Sequence, residues 1–513
     1  MESASLTRSP AGTSLHVWQR LKALPWPSIA LGVLIVAAIV GFFVFPIYPN
    51  YDSYYSLLWG RELLHLHTPS FDAYRAATEH PLAIAFGALM SLFGRGGDRL
   101  MVACTLASFV VLAMGVYRLA ARAFTPLVGL IAAGLLCTRF DFPFLAARAY
   151  IDIPYLAMVV WAAALEFEKP RRGGIVWLLL FMASLMRPEA WLLTGLYWLW
   201  MFPPATWPER IKTAGYTAAG PLIWVALDTA VTGHPLFSLQ HTNGLAEELG
   251  RAKGLSQVPH ATWAFLISLD KAPVVLGGIV GGVLAVMIAP KRTVMIFVLL
   301  VTGIATFFAV GLAGLSIINR YLLIPSLMLM ILAAVALGGW TMLVPRTRWR
   351  WAWTFGALVL VVYGVLFTAL RVDLSRFTSN LYYRGDSHKA LVALLDRHDV
   401  RAAIDRHCGP VSVPNHKHIP DTRWILGAGQ NGVIARSAYV NVAPDGTMTL
   451  DRRVGRQLQH GVAVYESNRT AELQDQLLVD SQPVQLTTVQ LTPGRGFHRI
   501  AANAYFAAYV RCR

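Results

Sequence analysis

The chain has 513 residues, 56% of them hydrophobic and only 14% charged, with a mean hydropathy of +0.50. These values place it with polytopic membrane proteins and speak against a water-soluble enzyme, which carries more charge. The formal charge of +16 does not point to nucleic acid, because the basic residues cluster in short loops between apolar runs, the pattern that orients membrane helices.

In chain order, residues 1–26 hold Arg8, Arg20 and Lys22. The apolar run that follows, SIALGVLIVAAIVGFFVF, lacks a small-residue cleavage site and reads as a retained first span with a cytoplasmic N-terminal tail. A span needs ~20 apolar residues, and eleven segments are predicted to be transmembrane helices: 27–47, 98–120, 124–139, 152–167, 174–187, 189–203, 212–231, 272–290, 293–312, 320–344 and 351–371. The fifth and sixth are short enough to be read as one helical hairpin. This threading puts RLAARAF, EKPRRGG, WPERIK, APKR and PRTRWRWA all in the cytoplasm. It sends 48–97, 140–151, the MRPEA turn, 232–271 and SIINR to the outer face, together with everything after residue 372.

The expected architecture is therefore an all-α polytopic bundle over 27–372 followed by a soluble extracytoplasmic α/β domain over 373–513. That tail begins with a helical run, DSHKALVALLDRHDV, and continues with strand-like runs such as GVAVYES and VQLTTVQL. At about 140 residues it can bury its own core. Cys104 and Cys137 fall inside spans, whereas Cys408 and Cys512 are the tail's only cysteines and form a candidate disulfide. No CxxC or Cys/His metal spacing occurs. CGPVSVPNHKH and GAGQNG are turn-rich, and no GxGxxG follows a strand.

In the first outer loop, YDSYYSLLWGRELLHLH and HPLAIAFGALMSLFG carry apolar residues at helical spacing with a polar face, as expected of helices lying in the interface plane. Tyrosines suit that depth. The interface does not explain Asp52 in their midst.

An acid just after the first span, EHPLA (Glu79 to Ala83), ARAYIDIPY with Asp152, LMRPEAW, GHPLFSLQHT and NRYLLIPSL stand in one order on one membrane face. Together they resemble the GT-C superfamily of integral-membrane glycosyltransferases. The likeness covers roughly residues 27 to 330 and is nearest to bacterial members related to the protein O-mannosyltransferase and aminoarabinose-transferase group. It implies a multi-pass inner-membrane enzyme with a polyprenyl-phosphate sugar as donor. The acceptor would be a hydroxyl on an extracytoplasmic glycan, lipid or protein of the cell envelope, the transfer inverting, with no nucleic-acid partner. The abundance of Arg and Ala fits a GC-rich bacterial genome, which favours mannose or arabinose as the sugar.

Such a transfer needs a carboxylate to take the acceptor proton and cations for the departing phosphate. The resemblance puts Asp52 in the first role; capping a helix is the other reading. Asp152 would be a second acid or a cap for the helix that Pro154 starts, with Asp141 the alternative in the same loop. Arg320, Arg187, Arg148 and Arg75 are the cationic candidates. The resemblance assigns the donor phosphate to Arg320, while Arg187 and Glu189 could instead clamp a hairpin. Glu79, His80, Tyr55 and His241 are further substrate-contact candidates; His80 could instead cap a helix, and His234 and His241 are weak alone. The chain has no acid-rich DxD, no metal ligand is assigned, and a divalent cation is left open. Rival functions are a transporter or flippase for a lipid-linked sugar and a non-catalytic envelope-assembly protein. Transporters more often carry mid-membrane charges in repeated halves.

Overall fold

The computed structural model describes residues 25–248, 250–371, 374–442, 448–466 and 493–512. Each of the eleven apolar segments is helical, but their lengths differ. Among the described residues six helices are long and apolar enough to cross a membrane: Trp26–Val44, Gly94–Ala123, Leu255–Ile288, Pro290–Leu312, Asn319–Met342 and Arg348–Arg371. The count reaches eight if two bent pairs each form one span, Pro126–Thr138 with Asp141–Ala147 at 64° and Trp207–Thr232 with Phe237–Glu248 at 76°.

The expected eleven spans are not reached by this measure. Asp152–Glu168, Gly174–Met186 and Glu189–Met201 have 17, 13 and 13 residues, or ~20–26 Å at 1.5 Å per residue, short of a ~30 Å hydrocarbon core. Pro188 is the physical cause of the last break. The residue before a proline is pushed out of the helical region, and Arg187 is extended at φ −147°, ψ 134°.

The Asn319–Met342 span is the bundle's centre, with 94% of its apolar window buried, whereas Trp26–Val44 and Arg348–Arg371 are 0% and 6% buried and present their apolar faces outward, as lipid-facing helices do. A Cβ on Gly281 would overlap the Leu332 carbonyl, so the absence of a side chain lets the Val258–Ile288 helix reach the central one.

The two helices of the first long loop form as expected, at Tyr51–Leu64 and Pro81–Ser91, but the first does not lie on an interface. Ser53 to Gly60 are all buried. On one side Gly60 and Gly87 pack backbone to backbone, where a Cβ on either would overlap the other helix. On another the tail packs down: Arg423 is fully buried and its Nη2 lies 2.5 Å from Glu62 Oε1, while Arg61 sits 5.4 Å over the Trp424 ring. The polar face read as solvent-facing is a docking face.

The tail begins with a helix at Leu374–Leu395, upstream of the expected Asp386 start. Its sheet has the order β2 (Val433–Ala435), β1 (Val411–Val413), β5 (Gly461–Glu466), β7 (Phe506–Arg511), β6 (His498–Ala502). The β2–β1–β5 part is parallel, and β7 and β6 are antiparallel additions. β3 (Val440–Val442) and β4 (Met448–Leu450) pair separately. GVAVYES is realised as β5, whose first five residues are buried, as a parallel-sheet core requires. VQLTTVQL and the residues Arg8, Arg20 and Lys22 lie outside the described residues. Cys408 and Cys512 are joined by a disulfide, 104 residues apart in sequence.

The tail sits at one end of the bundle, where the loops after Val44, Ala147, Met186, Thr232 and Leu312 also meet. The basic loops gather at the other end, tied by Arg118 to Glu168 at 2.7 Å and Thr125 to Thr341 at 2.9 Å.

Candidate active site

A cleft of about 910 Å³ opens between the bundle, the 48–80 loop and the tail. Its walls carry seven arginine and lysine residues against four carboxylates, so it favours an anionic ligand. Asp52, Arg75, His80, Arg148, Arg187 and Arg320, all singled out in the sequence, line this one cavity.

Asp52 lies in the first turn of Tyr51–Leu64, and it is not the cap. Asn50 caps the helix, its Oδ1 accepting from Ser53 N at 3.0 Å. Asn50 Nδ2 donates to the Arg148 carbonyl at 3.1 Å and Ser53 Oγ to the Ala149 carbonyl at 2.6 Å. These bonds bolt the loop that carries Asp52 to the one that carries Arg148, leaving the Asp52 carboxylate free to face the cleft with 28% of its side chain exposed.

Arg320 follows the extended Ile318 at the start of the central span. Its Nη1 stands 3.4 Å from Asp52 Oδ2 and 3.4 Å from Asp152 Oδ2, and its guanidinium lies 5.1 Å over the Tyr150 ring. Asp152 is fully buried and also receives Arg187 Nη1. Arg187 donates in addition to Glu189 Oε1, from Nη2 at 2.6 Å and Nε at 2.9 Å. The result is one chain of alternating charge: Asp52, Arg320, Asp152, Arg187, Glu189. The clamp reading of Arg187 and the second-acid reading of Asp152 describe the same network. Its members differ in access, for a ligand reaches Asp52 and Arg320 but not the Asp152 carboxylate.

His80 precedes Pro81 and makes no side-chain cap. Burial, with Arg187 and Arg320 nearby, holds its pKa down to about 3, so it is a neutral imidazole. Its ring meets Trp224 edge-on at 5.6 Å. Arg75 is paired with Glu248, Nε to Oε2 at 3.2 Å.

Besides the buried Asp152, five residues considered in the sequence do not line the cleft: Tyr55, Glu79, Asp141, His234 and His241. Tyr55 is fully buried between Tyr51 and Trp59. Glu79 is fully buried, which raises its pKa to about 8. His241 meets the Ala76 carbonyl at 3.1 Å and stacks on Phe237. Asp141 lies within electrostatic reach of Arg139 and Asp270. Among the described residues, no three His, Cys, Asp or Glu side chains gather as a metal site would need.

Sequence reasoning missed Arg251, Tyr321, Arg384, His388 and Lys417, all in the cleft wall. Arg251 carried a signal: a basic residue in a loop assigned to the face where such residues are scarce. The tail residues carried none, because only the docking of the tail brings them there.

No family model matches the sequence, and no curated protein matches it either. Among solved structures, the crystal structure of ArnT from Cupriavidus metallidurans in the apo state superposes with a TM-score of 0.54 at 13% identity, over 94% of this chain and 98% of that one. The chain shares the fold of that ArnT structure. At such identity the match speaks for fold alone, and it bears out the resemblance at that level. The oligosaccharyltransferase AglB from Archaeoglobus fulgidus, in complex with an inhibitory peptide and a dolichol-phosphate, aligns over 81% of this chain and 64% of that one at 13% identity, with a TM-score of 0.46. The apo form from the same organism aligns at 12% identity over 88% and 71%, with a TM-score of 0.48. Several helices long and apolar enough to cross a bilayer, in an apolar chain with this shared fold, describe a multi-pass membrane protein.

Proposed function

We propose that the protein is an inverting membrane glycosyltransferase that moves a sugar from a polyprenyl phosphate to a hydroxyl of a cell-envelope glycan, lipid or protein. The observation that carries this reading is Asp52, an accessible carboxylate on the wall of a cation-rich cleft, 3.4 Å from the Arg320 guanidinium. In the proposed reaction Asp52 accepts the proton of the acceptor hydroxyl as its oxygen attacks the anomeric carbon. The bond from that carbon to the phosphate oxygen breaks, and the phosphate leaves with the electron pair. Arg320 and Arg251 take up the charge gathering on the phosphate.

Asp152 is a positioning residue in this scheme. Buried between two guanidiniums, it fixes where Arg320 stands. Leu192, Val225, Leu236, Leu239 and Val310 form an apolar side of the same cleft, suited to an isoprenoid chain. The basic loops at the opposite end of the bundle support, by the positive-inside tendency, a cleft and tail outside the cytoplasm. That the cleft's charges gather at one end of the bundle favours transfer over transport.

The test is turnover. Purified protein given radiolabelled polyprenyl-phosphate mannose or arabinose, with cell-envelope extract as acceptor, should release polyprenyl phosphate and label a product. Donor binding with no transfer from either sugar would overturn the glycosyltransferase reading.

A further inference from the structure

Four of the cleft's cations form two pairs that differ in their partners. Toward the central span, Arg320 and Arg187 are each held by carboxylates. Toward the tail stand Arg148 and Arg384, and among the described residues neither is paired with an acid. Arg148 Cζ lies 3.6 Å from the Tyr48 ring centroid. The same ring stacks in parallel with His388, centroids 4.1 Å apart. At such distances the two cannot share one face, so Tyr48 is sandwiched. Arg384 is one helical turn before His388 on Leu374–Leu395, and therefore on the same face. Burial lowers its proton affinity, and Arg148 beside it lowers it further. Arg148 Nε is buried with no hydrogen-bond partner, and its Nη2 reaches only the Pro49 carbonyl at 3.5 Å.

Two guanidiniums facing one cavity, neither paired with an acid, repel each other, and a ligand with two oxygens and a negative charge relieves that repulsion while meeting the fork geometry. Tyr48, Tyr54, Tyr150 and Tyr383 line the cavity beside them, which suits a ring with an apolar face and polar edges. We infer that Arg148 and Arg384 form an anion subsite for the acceptor, and that the acceptor is an acidic saccharide carrying a carboxylate or a phosphate near its reactive hydroxyl. This rests on the transfer reading above and extends it, since it fixes which wall each substrate occupies. It also gives the tail a role, that of supplying Arg384 to the subsite.

The experiment titrates the purified full-length protein with glucuronate, glucose 6-phosphate and glucose, and separately with farnesyl phosphate as a probe of the donor side. At least one of the two acids should bind and glucose should not; the better acid tells carboxylate from phosphate. Arg384→Ala should weaken acid binding ~10-fold or more, the loss of a charge-assisted contact. Arg384→Lys should restore part of it. Farnesyl phosphate binding should persist in Arg384→Ala, which also shows that the variant is folded, and fall in Arg320→Ala. Equal binding of glucose and the acids, or full acid binding in Arg384→Ala, would overturn the inference. So would loss of farnesyl phosphate binding in Arg384→Ala, which would give the pair to the donor. Failure of the wild-type protein to bind farnesyl phosphate, with acid binding intact, would count against the proposed function instead.

Discussion

Replacing Asp152 with alanine tests the division of labour between the two acids. Asp152 is 0% exposed and contacts two arginines, one of which, Arg187, is 7% exposed. Removing one partner of a buried pair strands the other charge and costs about 3–5 kcal/mol. Glu189 still holds Arg187, so the lower end is expected. With an unfolding entropy of about 2.1 cal/mol/K per residue, 513 residues give ~1.1 kcal/mol/K. The melting temperature should therefore fall by ~3 °C. Asp52→Ala removes a carboxylate that is 28% exposed and only 3.4 Å from a partly exposed Arg320, an interaction in the range of 0–1 kcal/mol, so its melting temperature should move by ~1 °C or less. The assay is thermal unfolding of purified protein in one detergent, followed by tryptophan fluorescence. An Asp152→Ala protein as stable as wild type, or an Asp52→Ala protein that loses more than Asp152→Ala, would refute the reasoning.

Two pH effects should be seen in the same assay. In the tail, burial alone would drive the proton off His418, but Asp421 and Glu466 hold it on and push the pKa up to about 10; the stability this contributes is full below about 6.5 and is lost as pH rises through about 10. His418→Gln should flatten that alkaline loss, and an unchanged slope between pH 6.5 and 10 would contradict it. Glu79, raised to about 8 by burial, is protonated in the folded protein over a range where the unfolded chain is not, so its contribution is full below about 4.5 and lost as pH rises through about 8. Glu79→Gln should then melt at or above the wild-type temperature at pH 9, and a lower melting temperature there would show that the charged form is wanted.

Much of this was legible in the sequence because membrane burial leaves a long, local signal. Every apolar segment became a helix, and the runs around Asp52, Asp152, Arg187 and Arg320 marked residues that meet in one ion-pair network. Span count was harder, since hydropathy reports apolarity and not where Arg187, extended before Pro188, breaks a run into two short helices. The buried face of Tyr51–Leu64 was misread for a related reason. A polar stripe on a helix looks the same whether it meets water or, like Glu62, a buried Arg423 from a domain 361 residues away. Arg384 and His388 were invisible as site residues on the same ground, for their place depends on where the tail docks. Tyr55, Glu79 and His241 show the converse error, in which proximity in sequence to Asp52, Pro81 and the 232–271 loop was taken for proximity to the cleft.

The most direct test of the central claim is turnover by Asp52→Asn, which keeps the shape and hydrogen-bonding capacity of the carboxylate and removes its proton affinity. With melting temperature and farnesyl phosphate binding at wild-type values, transfer of the labelled sugar should fall by ~10² to 10⁴-fold, the range of general-base loss. Near-normal turnover in that variant would contradict the account.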